Sequence, residues 1–254
     1  MMGVHARVSP AQAARLEQIE ELLGEGAVRI DDLAVRLSVS EMTIRRDLDE
    51  LDALGVARRV RGGAVPLGPE SFDERHRHNA KAKAKIAEKL RSQVPTTGTI
   101  AFDASSTVHR VASQLDGARD LMLVTNGVDT FNVLREQAGV RPLLTGGSLE
   151  PRTGSLVGPL ASRSAADFLF DVFICSAAAI APEWGASEVS LAESEVKLAL
   201  ARHSDRVVVA VDGSKLGERA RARVFDLSDI DLLVTDLDPD DDRLGPYRGL
   251  VDII

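Results

Sequence analysis

The tightest constraint on the fold lies between residues 30 and 54, where two short helical patterns are separated by only Ser38-Val39-Ser40. The first, Ile30 to Leu37, carries Asp31 and Asp32 near its start, where carboxylates suit the helix dipole, and turns Leu33, Ala34 and Leu37 inward. The second, Glu41 to Leu54, follows Ser40 as its N-cap and repeats Ile44, Leu48, Leu51 and Gly55 at the 3.6-residue period, with the opposite face polar. Upstream, Ala14, Leu16, Ile19, Leu22 and Leu23 mark a further helix from Pro10, ending at Gly24 and Gly26. Downstream, Val56-Ala-Arg-Arg-Val-Arg-Gly-Gly-Ala-Val65 alternates apolar and basic residues around Gly62-Gly63, the pattern of a two-stranded ribbon with a glycine turn. Three helices and a ribbon within residues 1–65 read as a winged helix-turn-helix.

In that motif the second helix of the pair enters the major groove of double-stranded DNA. Met42 and Arg46 point away from the buried Ile44 face, and Thr43 and Arg45 flank it. With the cap Ser40 and the wing residues Arg58, Arg59 and Arg61, they form the expected DNA-binding set. The competing reading, a solvated face with an internal ion pair in Arg45-Arg46-Asp47, is weakened by the acid-free stretch from Ala53 to Val65. Net charge excludes a generally basic nucleic-acid binder: the chain carries −8, and residues 1–65 hold nine arginines against eleven carboxylates. The positive charge sits on the second helix of the pair and the wing, a polarity that favours site-specific contact.

Pro66, Gly68 and Pro69 break all periodicity, which places a linker at 66–72 and a second domain at 73–254. There, strands expected at 99–103, 121–125, 142–145, 172–176, 206–212 and 232–236 alternate with helices near 80–93, 106–115, 128–138, 159–169 and 190–203. That alternation gives an α/β fold with a largely parallel sheet covered by helices on both faces. Ligands of such sheets sit beyond the carboxyl ends of the strands. The loops found there are Asp103-Ala104-Ser105-Ser106-Thr107, Thr125-Asn126-Gly127, Thr145-Gly146-Gly147 and Asp212-Gly213-Ser214-Lys215. They combine hydroxyls, close-approach glycines and a lysine, as an anion site would, although Ser105 or Ser106 capping a helix explains the first loop alone.

Residues 15–65, above all the Ser40-Glu41-x-Thr43-Ile44-Arg45-Arg46-Asp47-Leu48 run and the Arg-x-x-Gly-Gly-Ala wing, resemble the head of the DeoR family of transcriptional regulators. The similarity continues through Glu74-Arg75, Asn79, Lys83 and Ile86-Ala87 to about residue 237. The resemblance implies a sensor domain similar in fold to ribose-5-phosphate isomerase and a phosphorylated sugar or related metabolite as effector. The effector residues it implies are Asp103, Ser105, Ser106, Thr107, Asn126, Gly146, Gly147, Asp212, Ser214 and Lys215, with Glu195 and Lys197 matching less specifically. One stretch departs from the family: Ser176-Ala177-Ala178-Ala179-Ile180 stands where the family has a glycine-rich loop, and the added methyl groups narrow a backbone-lined pocket.

The expectation is therefore a cytoplasmic homo-oligomer, dimer or tetramer, that binds an operator and represses a carbohydrate or related operon, with no cofactor and no membrane partner. A sugar-phosphate isomerase with an added head, or a second domain that only oligomerises, are the alternatives. The single cysteine, Cys175, lies in an apolar run and reads as a strand residue in the core. His76, His78, His109 and His203 lack metal-ligand spacing and read as surface or capping residues. The run Asp236, Asp238, Asp240, Asp241 and Asp242 lacks the glycine and glutamate of a calcium loop, so no metal is expected.

Overall fold

The computed structural model describes residues 10–54, 56–66 and 70–254. The chain divides into two compact units, one ending at Glu74 and the other beginning at Arg75. The position expected for Gly55 and part of the expected linker lie outside the described residues. Of the rest of that linker, Pro66 closes a strand and Phe72 opens a helix.

The first unit contains α1 (Pro10–Glu25), β1 (Val28–Arg29), α2 (Ile30–Arg36), α3 (Glu41–Ala53), β2 (Ala57–Val60) and β3 (Gly63–Pro66), followed by the short helix α4 (Phe72–Arg77) across the boundary. Its core is built from the periodic positions: Leu16, Ile19 and Leu23 of α1, Ile30 and Leu33 of α2, and Ile44, Leu48 and Leu51 of α3. The wing is a three-stranded sheet in the order β1-β3-β2 rather than a lone ribbon. Strand β1 has only two residues, too few for any periodicity to reveal. Its approach explains Gly63, where an added Cβ would stand 1.9 Å from the Val28 carbonyl oxygen.

The second unit runs α5 (Ala80–Leu90), β4 (Gly98–Phe102), α6 (Ser106–Ala112), β5 (Leu121–Thr125), α7 (Val128–Leu134) and β6 (Val140–Leu144). A hairpin follows, β7 (Ser148–Glu150) and β8 (Ser155–Val157), then α8 (Pro159–Ala166) and β9 (Val172–Cys175). The chain ends through β10 (Ala179–Ala181), β11 (Gly185–Glu188), α9 (Leu191–Ala201), β12 (Val207–Ala210), β13 (Ala222–Phe225) and β14 (Leu232–Val234). Six strands form one parallel sheet in the order β14-β12-β9-β4-β5-β6. Taken in chain order, these six strands run 3-2-1-4-5-6, so the connections from β4 and β9 diverge in opposite directions and leave a crevice at their carboxyl ends.

Both faces of the sheet are buried, as the nearly continuous apolar runs of its strands require. Ile100, Phe102, Ile174 and Val208 pack with Ile86 and Leu90 of α5 and Val108 and Val111 of α6. The alternate residues Ala101, Phe173, Cys175 and Val209 pack on the other side with Ala161 of α8 and Val196 and Leu200 of α9. Burial holds the Cys175 thiol well above its ordinary pKa, so it stays protonated.

A second sheet, antiparallel and ordered β10-β11-β13, was not expected. The Ser176–Ile180 stretch read as a pocket loop is therefore partly strand. Its alanines suit a strand whose three residues are all buried. Real helices also stop short of their expected ends, α6 at Ala112 and α7 at Leu134, because their last apolar residues pack onto strands rather than into a further turn.

Candidate functional site

The recognition surface of the first unit begins at the cap of α3. Ser40 accepts from the Thr43 backbone N–H at 3.2 Å, and the two hydroxyls lie 2.9 Å apart. These contacts assign Ser40 and Thr43 to starting the helix. Met42, Arg45 and Arg46 are exposed, and Arg45 is paired with Glu41 at 2.9 Å, one turn earlier. Asp47 does not pair with its neighbouring arginines. It is buried and takes a two-pronged bond from Arg15 of α1, with Nη2 at 3.0 Å, while Gln12 adds a bond of 3.3 Å. The internal ion pair that competed with the DNA reading is thus absent, and Arg46 has no ion-pair partner among the described residues.

On the wing, Arg58 and Arg61 are exposed, whereas Arg59 is partly buried. Arg59 reaches Asp49 of α3 at 3.0 Å and the Gly63 carbonyl at 3.2 Å, so it fastens the wing to the helix. The expected set thus divides: Met42, Arg46, Arg58 and Arg61 face outward unengaged, Arg45 faces outward in a surface pair, and Ser40, Thr43 and Arg59 hold the scaffold.

In the second unit the expected loops gather at the carboxyl ends of the parallel strands. Asp103, fully buried after β4, accepts from the Ser105 backbone N–H at 3.0 Å and its hydroxyl at 2.6 Å, and from the Ser176 N–H at 3.0 Å. Ser105 in turn caps α6 by accepting from the Val108 N–H at 3.2 Å. Ser106 and Thr107 open that helix and are buried. Gly127 lies so close to this loop that a Cβ there would fall 2.8 Å from the Ala104 Cα. Asn126 donates to the Leu156 carbonyl at 3.1 Å, and its own side-chain oxygen is buried without a partner.

The centre of the crevice is a charge cluster. Lys197, from α9, lies 3.0 Å from Asp103, pairs closely with Glu188 of β11, and donates to the Ser176 carbonyl at 2.6 Å. Burial alone would lower the Lys197 pKa, but attraction from Glu188 and Asp103 outweighs it and the net direction is upward. Glu188 was missed in the sequence because it sits on a four-residue strand with no periodic signal. Glu195, matched only loosely by the resemblance, takes no part in these contacts.

Lys215 donates to the Ala177 carbonyl at 2.6 Å and lies 3.3 Å from the Ser176 hydroxyl. Burial lowers its pKa, with Asp212 and Glu188 opposing the shift. Asp212 accepts from Ser214 at 3.1 Å and from Asn79 at 2.9 Å. The structure thereby gives roles to residues that the sequence only matched: Asn79 ties the start of α5 to the Asp212 loop, and Lys83 donates to the His78 carbonyl at 2.6 Å. Thr145 opens the third loop and donates its hydroxyl to the Gly146 carbonyl at 3.1 Å, and a Cβ at Gly147 would fall 2.7 Å from the Val157 carbonyl oxygen.

No group of three or more metal-binding side chains occurs among the described residues. His203 bonds the Ala199 carbonyl at 2.8 Å, closing α9, and His109 meets His76 edge-on at 5.3 Å. Burial, with His76 and Arg110 adding to it, pushes the His109 pKa down to about 4. No helix among the described residues is long and apolar enough to cross a membrane.

Comparison with known proteins matches both units. The family described as DeoR-like helix-turn-helix domain matches residues 15–68, and that described as DeoR C terminal sensor domain matches residues 78–237. The chain is 32% identical to the HTH-type transcriptional regulator GolR of Listeria innocua, over 87% of this chain and 89% of that protein. It is likewise 32% identical to the glycerol-3-phosphate regulon repressor of Escherichia coli, with the same coverage of 87% and 89%. Among solved structures, ribose 5-phosphate isomerase A from Neisseria gonorrhoeae is similar at 20% identity and a TM-score of 0.37; the match spans about half of each chain, 52%.

Proposed function

The chain belongs to the DeoR family of transcriptional regulators, and on that premise we propose that it is a cytoplasmic repressor of a carbohydrate or related operon, released by a phosphorylated sugar or similar metabolite. The observation that carries this reading is the outward surface of the first unit. Met42 and Arg46 project from a helix whose other face is core, and Arg58 and Arg61 project from the wing. Arginine in this position donates two parallel bonds to guanine, a contact that discriminates between bases by about 1–3 kcal/mol. The wing arginines neutralise phosphates and set register. One head covers few base pairs, so the protein acts as at least a dimer on repeated half-sites, joined through residues beyond 72.

The effector site is the crevice where β4 and β9 diverge. The hydroxyls of Ser106 and Thr107 and the buried Asn126 oxygen supply polar partners, and Lys215 supplies the charge. An effector phosphate competes with the Ala177 carbonyl for the Lys215 ammonium, and that competition links occupancy to the position of the Ser176–Ala181 segment. Regulation then follows from unequal effector affinity for the DNA-competent and DNA-released states.

The same geometry argues against isomerase chemistry. A base that removes a proton from carbon needs an available carboxylate oxygen. Asp103 already accepts from Ser105 and Ser176 and faces Lys197, Asp212 accepts from Ser214 and Asn79, and Glu195 takes no part in the cluster. Retention of genomic fragments by the purified protein, with random DNA as competitor, tests the proposal. A few fragments beside sugar-metabolism genes should be retained and released by one phosphorylated sugar of a panel. Equal retention of all fragments, or turnover of pentose or hexose phosphates, would overturn it.

A further inference from the structure

One sequence feature is absorbed by neither the DNA surface nor the effector crevice: Arg219-Ala220-Arg221-Ala222-Arg223, leading into β13. Arg219 to Arg221 lie in the loop that leads into β13, and Arg223 is on the strand itself. Ala222 is buried, while all three arginines are exposed. The arginines line a cavity of about 830 Å³ on the antiparallel sheet, with Trp184 and Glu218 also on its wall.

The charges in this cavity are unbalanced. Arg223 is paired with Asp226, but no carboxylate pairs with Arg219 or Arg221 among the described residues. Arg219 instead lies over the Trp184 ring, 5.6 Å from its centre, which fixes its guanidinium in place. Arg221 lines the same cavity two residues further on, so two guanidinium forks without ion pairs face one concavity. In a chain of net charge −8, two arginines without ion pairs on one concavity of ligand size, beside the paired Arg223, are a recognition device for anions.

We propose that this cavity is a second anion site, which takes a small molecule bearing two or more phosphate groups. Each guanidinium accepts one phosphate in two-pronged fashion. The cavity also shares its wall with Ala178 and Ala179, in the segment that Lys215 contacts from its own loop. A ligand here therefore acts on the same segment as the effector crevice.

Titration calorimetry of the full chain with pyrophosphate tests the assignment. Saturable binding is expected, weakened at least tenfold in the Arg219→Gln/Arg221→Gln double variant. Both arginines are exposed, so the ligand-free melting temperature of that variant should match the wild type. Absence of saturable binding, or equal affinity in the double variant, would overturn the proposal. So would citrate binding as tightly as pyrophosphate, since phosphate would then not be the recognised group. Loss of pyrophosphate binding in Lys215→Ala alone would place the phosphate in the crevice instead. A double variant that changes assembly mass or DNA retention while wild type binds no pyrophosphate would make the strip a macromolecular contact, again against the proposal.

Discussion

Among the described residues, each unit of this protein holds a buried ionic cluster, and the two are used in opposite ways. In the first unit Asp47 is buried, but its partner Arg15 remains 18% exposed, and the working residues lie elsewhere, on the outer face of α3. In the second unit Lys197, Asp103 and Glu188 are all under a tenth exposed and stand at the centre of the crevice itself. The head keeps its buried charge as a strut and its functional charge free. The sensor has drawn its central charges into the scaffold, and in the function proposed above recognition falls to the hydroxyls, Asn126 and Lys215 around them.

The largest test of this contrast is Lys197→Met. Removing the cation strands two buried carboxylates, which should cost about 3–5 kcal/mol of sensor stability, read by urea unfolding. The Lys197 pKa is raised in the folded state, so its contribution is fully present below the ordinary lysine value of 10.5 and is lost only as pH rises through the higher folded value. The lysine's own titration therefore adds no pH dependence to the deficit below 10.5. A loss under about 1 kcal/mol would mean that the cluster is not a structural unit.

Lys215→Ala removes the bond to the Ala177 carbonyl, so it should cost about 1–3 kcal/mol of stability, and it should weaken the effector by roughly 1.5–3 kcal/mol, the worth of a charge-assisted contact. An effector titration on DNA-bound protein decides it: a response at the wild-type concentration removes Lys215 from the site.

On the head, Arg46→Ala should weaken the specific site by about 1–3 kcal/mol and leave random DNA little changed, whereas Arg61→Ala should lower both evenly. Equal losses at specific and random DNA for Arg46→Ala would reassign that residue to the backbone.

The smallest effect sharpens the comparison. Arg15→Ala exposes the Asp47 carboxylate to water where the guanidinium lay, so the stability cost should be about 1–2 kcal/mol, well below that of Lys197→Met. Denaturation curves of the two variants side by side settle the order; a cost as large as that of Lys197→Met would make the two clusters alike.

Local patterns carried the head and the order of the parallel strands' chain segments. The 3.6-residue spacing of Leu16, Ile19, Ile44, Leu48 and Leu51 and the turn Ser38-Val39-Ser40 are enough to specify three helices and their buried faces, because each signal lies within one element. Cys175 in the core and the alternation of strand and helix from residue 98 onward are legible for the same reason. Tertiary structure alone decided what depends on residues far apart in the chain. Val28–Arg29 becomes a strand only because Gly63 lets it approach; Asp47 becomes a strut because Arg15, 32 residues away, reaches it. Arg59 is engaged by Asp49 of α3, ten residues earlier, and Ser176–Ile180 becomes partly strand because β11 pairs with its end. Burial and pairing belong to the folded neighbourhood of a side chain, and a linear pattern records only its own element.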